Sequence, residues 1–584
     1  MTTRMERAER RGKEAPLKKT AASSVAPPIP WHQQPFWLAL ASSLLLWASF
    51  PPLNLWPLAW VAPLPWLALV RQEKLRGWRP YFQIWLAGFV HWLLMLQGIR
   101  LAHPALYGGW LALSAYIAVY LVLFVAISRV AVHQLRWPLF IAAPVVWVGI
   151  ELLRGHLISG FSSGMLAHTQ TNWTMLLQIA DLGGAYAVSL VLMLVAAVIV
   201  QELPSNWFNS QTPQHFHRGP IPIVTAVALI AGTLCYGWYR LQEPLPDTNL
   251  PPLRVALIQG SLDTRFDQPH EERVRETFGH YVPLTQQAVK ADRELDLVIW
   301  PESMFTLFEY RETAGSSSSV KDDVPREFRE RLTELQKPFQ NTLDDALRGM
   351  PNTAFLFGTV TLEFDLTKPK NFPDRNYNAA LLANPDGQIV GRYYKMHAVM
   401  FGEYVPCADW FPILQQVTPL GPGMSVGDYP AALHVNGYKL APNICFESTV
   451  PHLVRNQVVE LQRVQPVDVI VNVTNDGWFK GSSILDLHYR GNIFRAVENR
   501  KPLIVAANTG ISAHIDGNGR VLARGPKRAP QPLLVSVTPD GRRSPYHWIG
   551  DLPAWLCAWI TWGLAVIGVW RGGSHPRLPV HKAT

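Results

Sequence analysis

The chain has 584 residues, of which 48% are hydrophobic and 16% charged, with 23 Trp and a formal net charge of +9. It is too long for one compact core, and its charged fraction lies below the ~25% usual for soluble proteins, which excludes a wholly soluble globular protein. The four cysteines are too few for a disulfide scaffold, and no CxxC or Cys/His cluster has metal-ligand spacing. No metal and no cofactor is therefore expected.

The basic charge has a position. Arg4, Arg7, Arg10, Arg11, Lys13, Lys18 and Lys19 precede the first apolar run, as a cytoplasmic flank does under the positive-inside rule. No A-x-A-like site follows that run, so it is read as a retained span. Nucleic acid is not an expected partner, because the charge follows membrane topology.

Apolar runs fall at 36–50, 53–70, 82–98, 106–128, 137–153, 180–201, 220–238 and 550–570. Several approach the ~20 residues that cross a ~30 Å hydrocarbon core. The first two meet at "FPPLNLWP", where Pro51 and Pro52 end a helix. With the amino terminus inside, the inside loop "RQEKLRGWRP" carries four Lys/Arg and "SRVAVHQLRW" two, while 51–54 carries none. Eight spans with both ends inside fit this asymmetry. The expected divisions are a basic tail (1–35), seven spans (36–240), an extramembrane domain (241–547), an eighth span (548–571) and a second tail (572–584).

The block 241–547 is different sequence. Short apolar runs ("RVALIQG", "LDLVIW", "TAFLFGTV", "AALLANPDG", "KLAPNICFE", "DVIVNVTND", "PLIVAANTG") suit strands covered on both faces. Segments 270–294, 325–349 and 448–463 have helical length, and "NPDG" and "IDGNG" are turn signals. A layered α/β domain is predicted, with "ETAGSSSSVKDD" (312–323) as a surface loop.

Reactive side chains stand where strands end. Glu302 follows "LVIWP", at the edge where open α/β sheets place their sites; read alone, it is an ordinary surface glutamate. "RYYKMHAVMFGEYVP" carries Lys395, His397 and Glu403. Lys395 reads as a polarising cation or a snorkelling residue. His397 reads as a structural hydrogen-bonder more readily than a catalyst, and Glu403 as a second acid or a loop anchor. In "PNICFES", Cys445 ends a strand and Ser448 is placed as the N-cap of the next helix. A helix terminus and a nearby ammonium would lower the thiol pKa toward a reactive thiolate; alone, the residue is core filler. Together, carboxylate, ammonium and thiol supply a base, an electrostatic stabiliser and a nucleophile.

The order Glu302, Lys395, Cys445 resembles the Glu-Lys-Cys triad of the nitrilase, or carbon–nitrogen hydrolase, superfamily. "NVTNDGWF" and "RAVENRKPLIVAANTGIS" are similar to its later segments. With eight spans, "FGEYVP", "GIELLRGHLISGF" and "QIADLGGAYAVS", the chain resembles the apolipoprotein N-acyltransferase family over 36–570. The resemblance implies an αββα sandwich over an α-helical polytopic bundle in the bacterial inner membrane, with the catalytic domain in the periplasm. It implies Glu302 as general base, Cys445 as nucleophile and Lys395 as oxyanion cation, with Glu403 and Glu447 at further important positions. The implied partners are a membrane phospholipid as acyl donor, a diacylated apolipoprotein as acceptor, and the bilayer.

Two departures stand in the site. Phe446 replaces the family Tyr, and "QGSLDTRFD" replaces QGN with a later Trp, leaving Phe266 as the candidate aromatic. The membrane stretch "SSGMLAHTQ" also lacks the usual Pro-Trp. Met400, Phe401, Trp410 and Phe411 read equally as a cover for acyl chains or as ordinary packing, and Cys407 is expected to be free and dispensable. The rival expectation is a membrane-anchored nitrilase-like amidase, with the same triad and water as acceptor.

Overall fold

The computed structural model describes residues 34–573, except 73–74, 76, 205–218, 248, 266–267, 314–325, 366–371, 401 and 406–422. Most of the expected 312–323 loop therefore lies outside the described residues.

All eight apolar runs form helix, but not equally. The second, expected to be a single span, breaks into a short 3₁₀ turn (Trp56–Trp60) and a two-turn helix (Leu64–Arg71). Prolines cause the break: Pro57 and Pro65 are the second residues of the two pieces, in the first turn where proline is tolerated, whereas it cannot sit in mid-helix. Pro35–Ser49 and Arg79–Met95 are also short. Among the described residues, five helices are long and apolar enough to cross a membrane: Leu106–Gln134, Leu139–His156, Ala180–Glu202, Pro220–Gln242 and Leu552–Arg571. The last presents Trp559, Trp562 and Val569 outward, the apolar surface of a helix that faces lipid rather than water. The chain is thus read as an integral membrane protein.

The extramembrane domain holds two sheets. One contains β1 (Leu253–Gln259), β2 (Leu297–Trp300), β3 (Glu309–Thr313), β4 (Ala354–Asp365), β5 (Arg375–Ala383) and β6 (Ile389–Tyr394). The other contains β7 (Leu433–Val435), β8 (Tyr438–Ile444), β9 (Val469–Thr474), β10 (Leu503–Ala507), β11 (Ala513–Ile515) and β12 (Val521–Arg524). A last strand, β13 (Gln531–Val537), returns to the first sheet beside β1. The orders are β13-β1-β2-β4-β5-β6, with β3 on β4, and β12-β11-β10-β9-β8-β7.

Strand alternation explains the layers. Leu253, Val255 and Leu257 of β1 meet Val469, Val471 and Val473 of β9 in the core between the sheets. Ala256 and Ile258 point the other way, into a core with Tyr281 and Phe339 from helices His270–Ala291 and Arg326–Arg348. On the far side, Ile470, Leu503 and Val505 pack with Val454, Val458, Phe494 and Val497 from helices Pro451–Leu461 and Ile484–Asn499. Burial on both faces is why these strands read as unbroken apolar runs. The architecture is the expected αββα sandwich, and its second helical layer is continuous with the core of the membrane bundle.

Buried charge fastens that junction. Arg500 donates to Asp181 at 2.6 and 2.8 Å and to Gln178 at 2.6 Å. Arg240 pairs with the same carboxylate at 2.9 Å. The helix carrying Asp181 breaks at Gly184 (φ 65°), where an added Cβ would meet the Tyr546 ring at 3.1–3.2 Å. The restarted helix offers the Ala185 N–H to Glu498 at 2.9 Å, an anion at a helix N-terminus. Asp181→Ala leaves the buried Arg500 without a carboxylate and Arg240 with Glu243 alone. The expected loss is about 3–5 kcal/mol, read as a lowered thermal midpoint in detergent. Glu334→Ala, at an exposed ion pair, should leave the midpoint unchanged.

Candidate active site

The site assembles where strands of both sheets end. Glu302 lies two residues past β2, Lys395 one past β6, Cys445 one past β8 and Asn475 one past β9. β2 runs parallel to β4, β5 and β6 reverse twice, and β8, β9 and β10 are mutually parallel. The carboxyl ends therefore gather at one edge of each sheet. The Asn475 N–H donates to Glu302 Oε2 at 2.8 Å, joining the two edges.

Lys395 is 3% exposed and Glu302 6%. Lys395 Nζ donates to Glu403 Oε1 at 2.8 Å and stands 3.5 Å from Glu302 Oε1. Asn378 Nδ2 donates to the same two oxygens, at 2.7 Å to Glu302 and 2.9 Å to Glu403. The Val399 N–H completes Glu403 at 2.9 Å. Burial alone would discharge Lys395, but the neighbouring Glu302 and Glu403 carboxylates outweigh it and hold the ammonium above its ordinary range. For Glu403, burial acts upward, yet Lys395 holds the carboxyl below the usual value. Glu403 is therefore the fixed anion beneath the ammonium.

Cys445 differs from expectation. Its thiol is pushed well above the ordinary range, first by burial and then by the Glu302 charge, against the pull of Lys395. The expected lowering by a helix terminus fails because no regular helix starts there. Cys445 opens a 3₁₀ turn, and the next helix begins at Pro451 with Val450, not Ser448, as N-cap. Ser448 Oγ instead donates to the Cys445 carbonyl at 3.3 Å. The resting group is a thiol, so it needs a base. Cys445 also sits at φ 55°, a left-handed conformation costing a non-glycine residue about 1–3 kcal/mol.

Glu447 clamps the turn. It accepts from the Ile444, Met396 and His397 N–H groups at 2.8, 2.6 and 3.0 Å and from the Tyr393 hydroxyl at 2.9 Å. The Cys445 turn and the Lys395 turn are thereby tied to one carboxylate. Phe446 stacks on His397 at 6.1 Å, a packing role that does not use the hydroxyl of the family tyrosine. The structural reading of His397 is supported: its Nε2 lies 2.8 Å from the Ser159 carbonyl, on a loop of the membrane bundle. Met400 pairs with Tyr404 in an isolated bridge. Phe266, Phe401, Cys407, Trp410 and Phe411 lie outside the described residues.

Five polar residues escaped the reading of the sequence: Asn378, Asn472, Asn475, Asp476 and His488. Asn472, Asn475 and Asp476 carried a signal, being polar groups at the end of the apolar run "DVIVNVTND". For metal, among the described residues His156, His452 and Asp551 bring ligand atoms within 4.8 Å of one another. The two imidazoles stack at 4.2 Å and 21°, so their ring planes do not converge on one ion.

The fold is that of a carbon–nitrogen hydrolase domain, and the family model "Carbon-nitrogen hydrolase" matches residues 254–544. "Apolipoprotein N-acyltransferase N-terminal domain" matches 42–198. The chain is similar to the apolipoprotein N-acyltransferase of Rhodopirellula baltica, at 33% identity over 90% of this chain and 97% of the relative. It is 31% identical to that of Geobacter metallireducens, over 89% and 92%, and 28% identical to that of Chlorobaculum tepidum, over 92% and 97%. Among solved structures it is similar to an amidase from Nesterenkonia sp., with TM-score 0.33, 17% identity, and 52% of this chain and 97% of that chain covered. The chain belongs to the apolipoprotein N-acyltransferase family.

Removing the ammonium should cost stability as well as chemistry. Lys395→Ala leaves Glu302 and Glu403 facing each other in a buried site, an expected loss of about 3–5 kcal/mol. Adding Glu403→Gln should recover part of it, and a double-mutant cycle on thermal unfolding measures the coupling.

Proposed function

We propose that this protein transfers a fatty acyl chain from a membrane phospholipid to the N-terminal α-amine of a diacylglyceryl-cysteine on an apolipoprotein, through a thioester on Cys445. The observation that carries this reading is a half-buried thiol beside a carboxylate and an ammonium, in a domain packed continuously onto a membrane bundle. Family membership supplies the substrate class.

Glu302 takes the Cys445 proton, which the thiol does not release alone. The sulfur attacks the ester carbonyl, and the tetrahedral oxyanion forms against Lys395 and backbone N–H groups. The C–O bond breaks, the proton passes to the leaving oxygen, and lysophospholipid departs. The neutral α-amine, whose ammonium form has an ordinary pKa of about 7.7–8.0 and has given its proton to water, attacks the thioester and passes an N–H proton to Glu302, which hands it to the departing sulfur. The C–S bond breaks, the amide forms and Cys445 regains its proton. Asn378 and Asn475 keep the Glu302 carboxylate oriented through both halves.

In this reading residues 241–547 form the catalytic domain on the periplasmic face of the bacterial inner membrane, anchored by 36–240 and 548–571. The basic residues of 1–35 and 572–584 support cytoplasmic tails.

Purified protein supplied with phospholipid and a diacylated lipopeptide should yield N-acylated peptide and lysophospholipid in equal amounts. Glu302→Gln should lower that rate about 10²- to 10⁴-fold, the usual contribution of a general base. Release of free fatty acid with unmodified peptide would indicate a hydrolase instead.

A further inference from the structure

Helix Ile484–Asn499 delivers His488 to the back of the nucleophile turn. Its Nε2 lies 2.9 Å from the Cys445 carbonyl oxygen and 3.1 Å from Ser448 Oγ. Its Nδ1 lies 3.0 Å from Asp476 Oδ1. Ser448, His488 and Asp476 have the connectivity of a serine triad. Ser448 is fully buried and donates its own proton to Cys445 O, so it has no route to a substrate.

The arrangement does something else. A carbonyl and a carboxylate are both acceptors, so a ring between them donates from both nitrogens and is an imidazolium. Burial opposes that charge, but Asp476 outweighs burial and the ring is held above its ordinary value, with Cys445 O and Glu302 contributing. The Cys445 carbonyl also accepts from Asn472 Nδ2 at 3.2 Å. Cys445 itself sits in the left-handed region at φ 55°, a conformation that persists only where surroundings impose it.

On the reading of Cys445 as nucleophile, we infer that His488, held by Asp476, is a positioning residue. Its doubly protonated ring grips the Cys445 carbonyl and keeps the strained turn presenting the thiol to Glu302 and Lys395. The imidazolium never touches substrate, and its effect falls on the attack rather than on lipid binding.

The test is the single-turnover rate of acyl transfer from phospholipid to the full-length protein in mixed micelles, read by intact mass. Wild type is compared with His488→Ala, His488→Gln, Asp476→Asn and Cys445→Ala. His488→Ala and Asp476→Asn should slow adduct formation about 10- to 100-fold, the effect of losing a charged hydrogen bond, at unchanged half-saturation by lipid. His488→Gln, which keeps a donor without the charge, should fall between His488→Ala and wild type. A wild-type rate in His488→Ala, a loss carried in half-saturation, or a His488→Gln no faster than His488→Ala would overturn the inference. If His488→Ala fails to fold, the other two decide: slowed adduct formation at unchanged half-saturation supports it, and wild-type rates in both overturn it. An adduct in Cys445→Ala would instead overturn Cys445 as nucleophile, whatever His488 does.

Discussion

One ammonium group organises the reactive edge of this protein. Lys395 is closed off from bulk water between Glu302 and Glu403, and without it two carboxylates would share a low-dielectric site. Like charges so placed cannot both remain ionised without cost. With the ammonium in place, Glu403 is satisfied as a fixed anion, and Glu302 is held beside a thiol that its surroundings keep protonated. Asn378 repeats the bridge made by Lys395 with a neutral donor, so neither carboxylate swings away.

The strained turn and the charge cluster are mechanically one unit. Glu447 gathers N–H groups from both the Cys445 turn and the Lys395 turn. His397, one of those contributors, reaches the Ser159 carbonyl on the bundle. The Lys395 turn is therefore tied to the membrane bundle through the His397 side chain, two residues from Lys395. Arg500, Asp181 and Glu498 fix the same junction on the opposite flank. A lipid ester and a lipid-modified amine both lie at the bilayer surface, so a site rigidly registered against the bundle has its substrates delivered by geometry.

Much of this was legible in the sequence, for physical reasons. Strands buried on both faces leave unbroken Val/Ile/Leu runs, and β1, β2, β4, β5, β8, β9 and β10 were found that way. Glu302, Lys395 and Cys445 stood out because they end such runs. Strands β7, β11 and β12 are short, two of them at sheet edges and β11 just inside β12, and their residues carry no run long enough to read. The second apolar run looked like a span because hydropathy does not register where Pro57 and Pro65 restart a helix. The thiol was read as activated because sequence shows a neighbouring helix but not burial. His488 was missed since its partners, Asp476 and Cys445, lie 12 and 43 residues away and meet it only in the fold. Ser448, read as a cap, serves the same carbonyl as His488.

The central claim is that the acyl chain passes through Cys445. The most direct measurement is peptide-level mass spectrometry of the protein held in phospholipid without acceptor, followed by addition of a diacylated lipopeptide. The account predicts an acyl thioester on Cys445 that disappears as N-acylated peptide forms. Transfer to the peptide with Cys445 unmodified throughout, or undiminished transfer by Cys445→Ala, would contradict it.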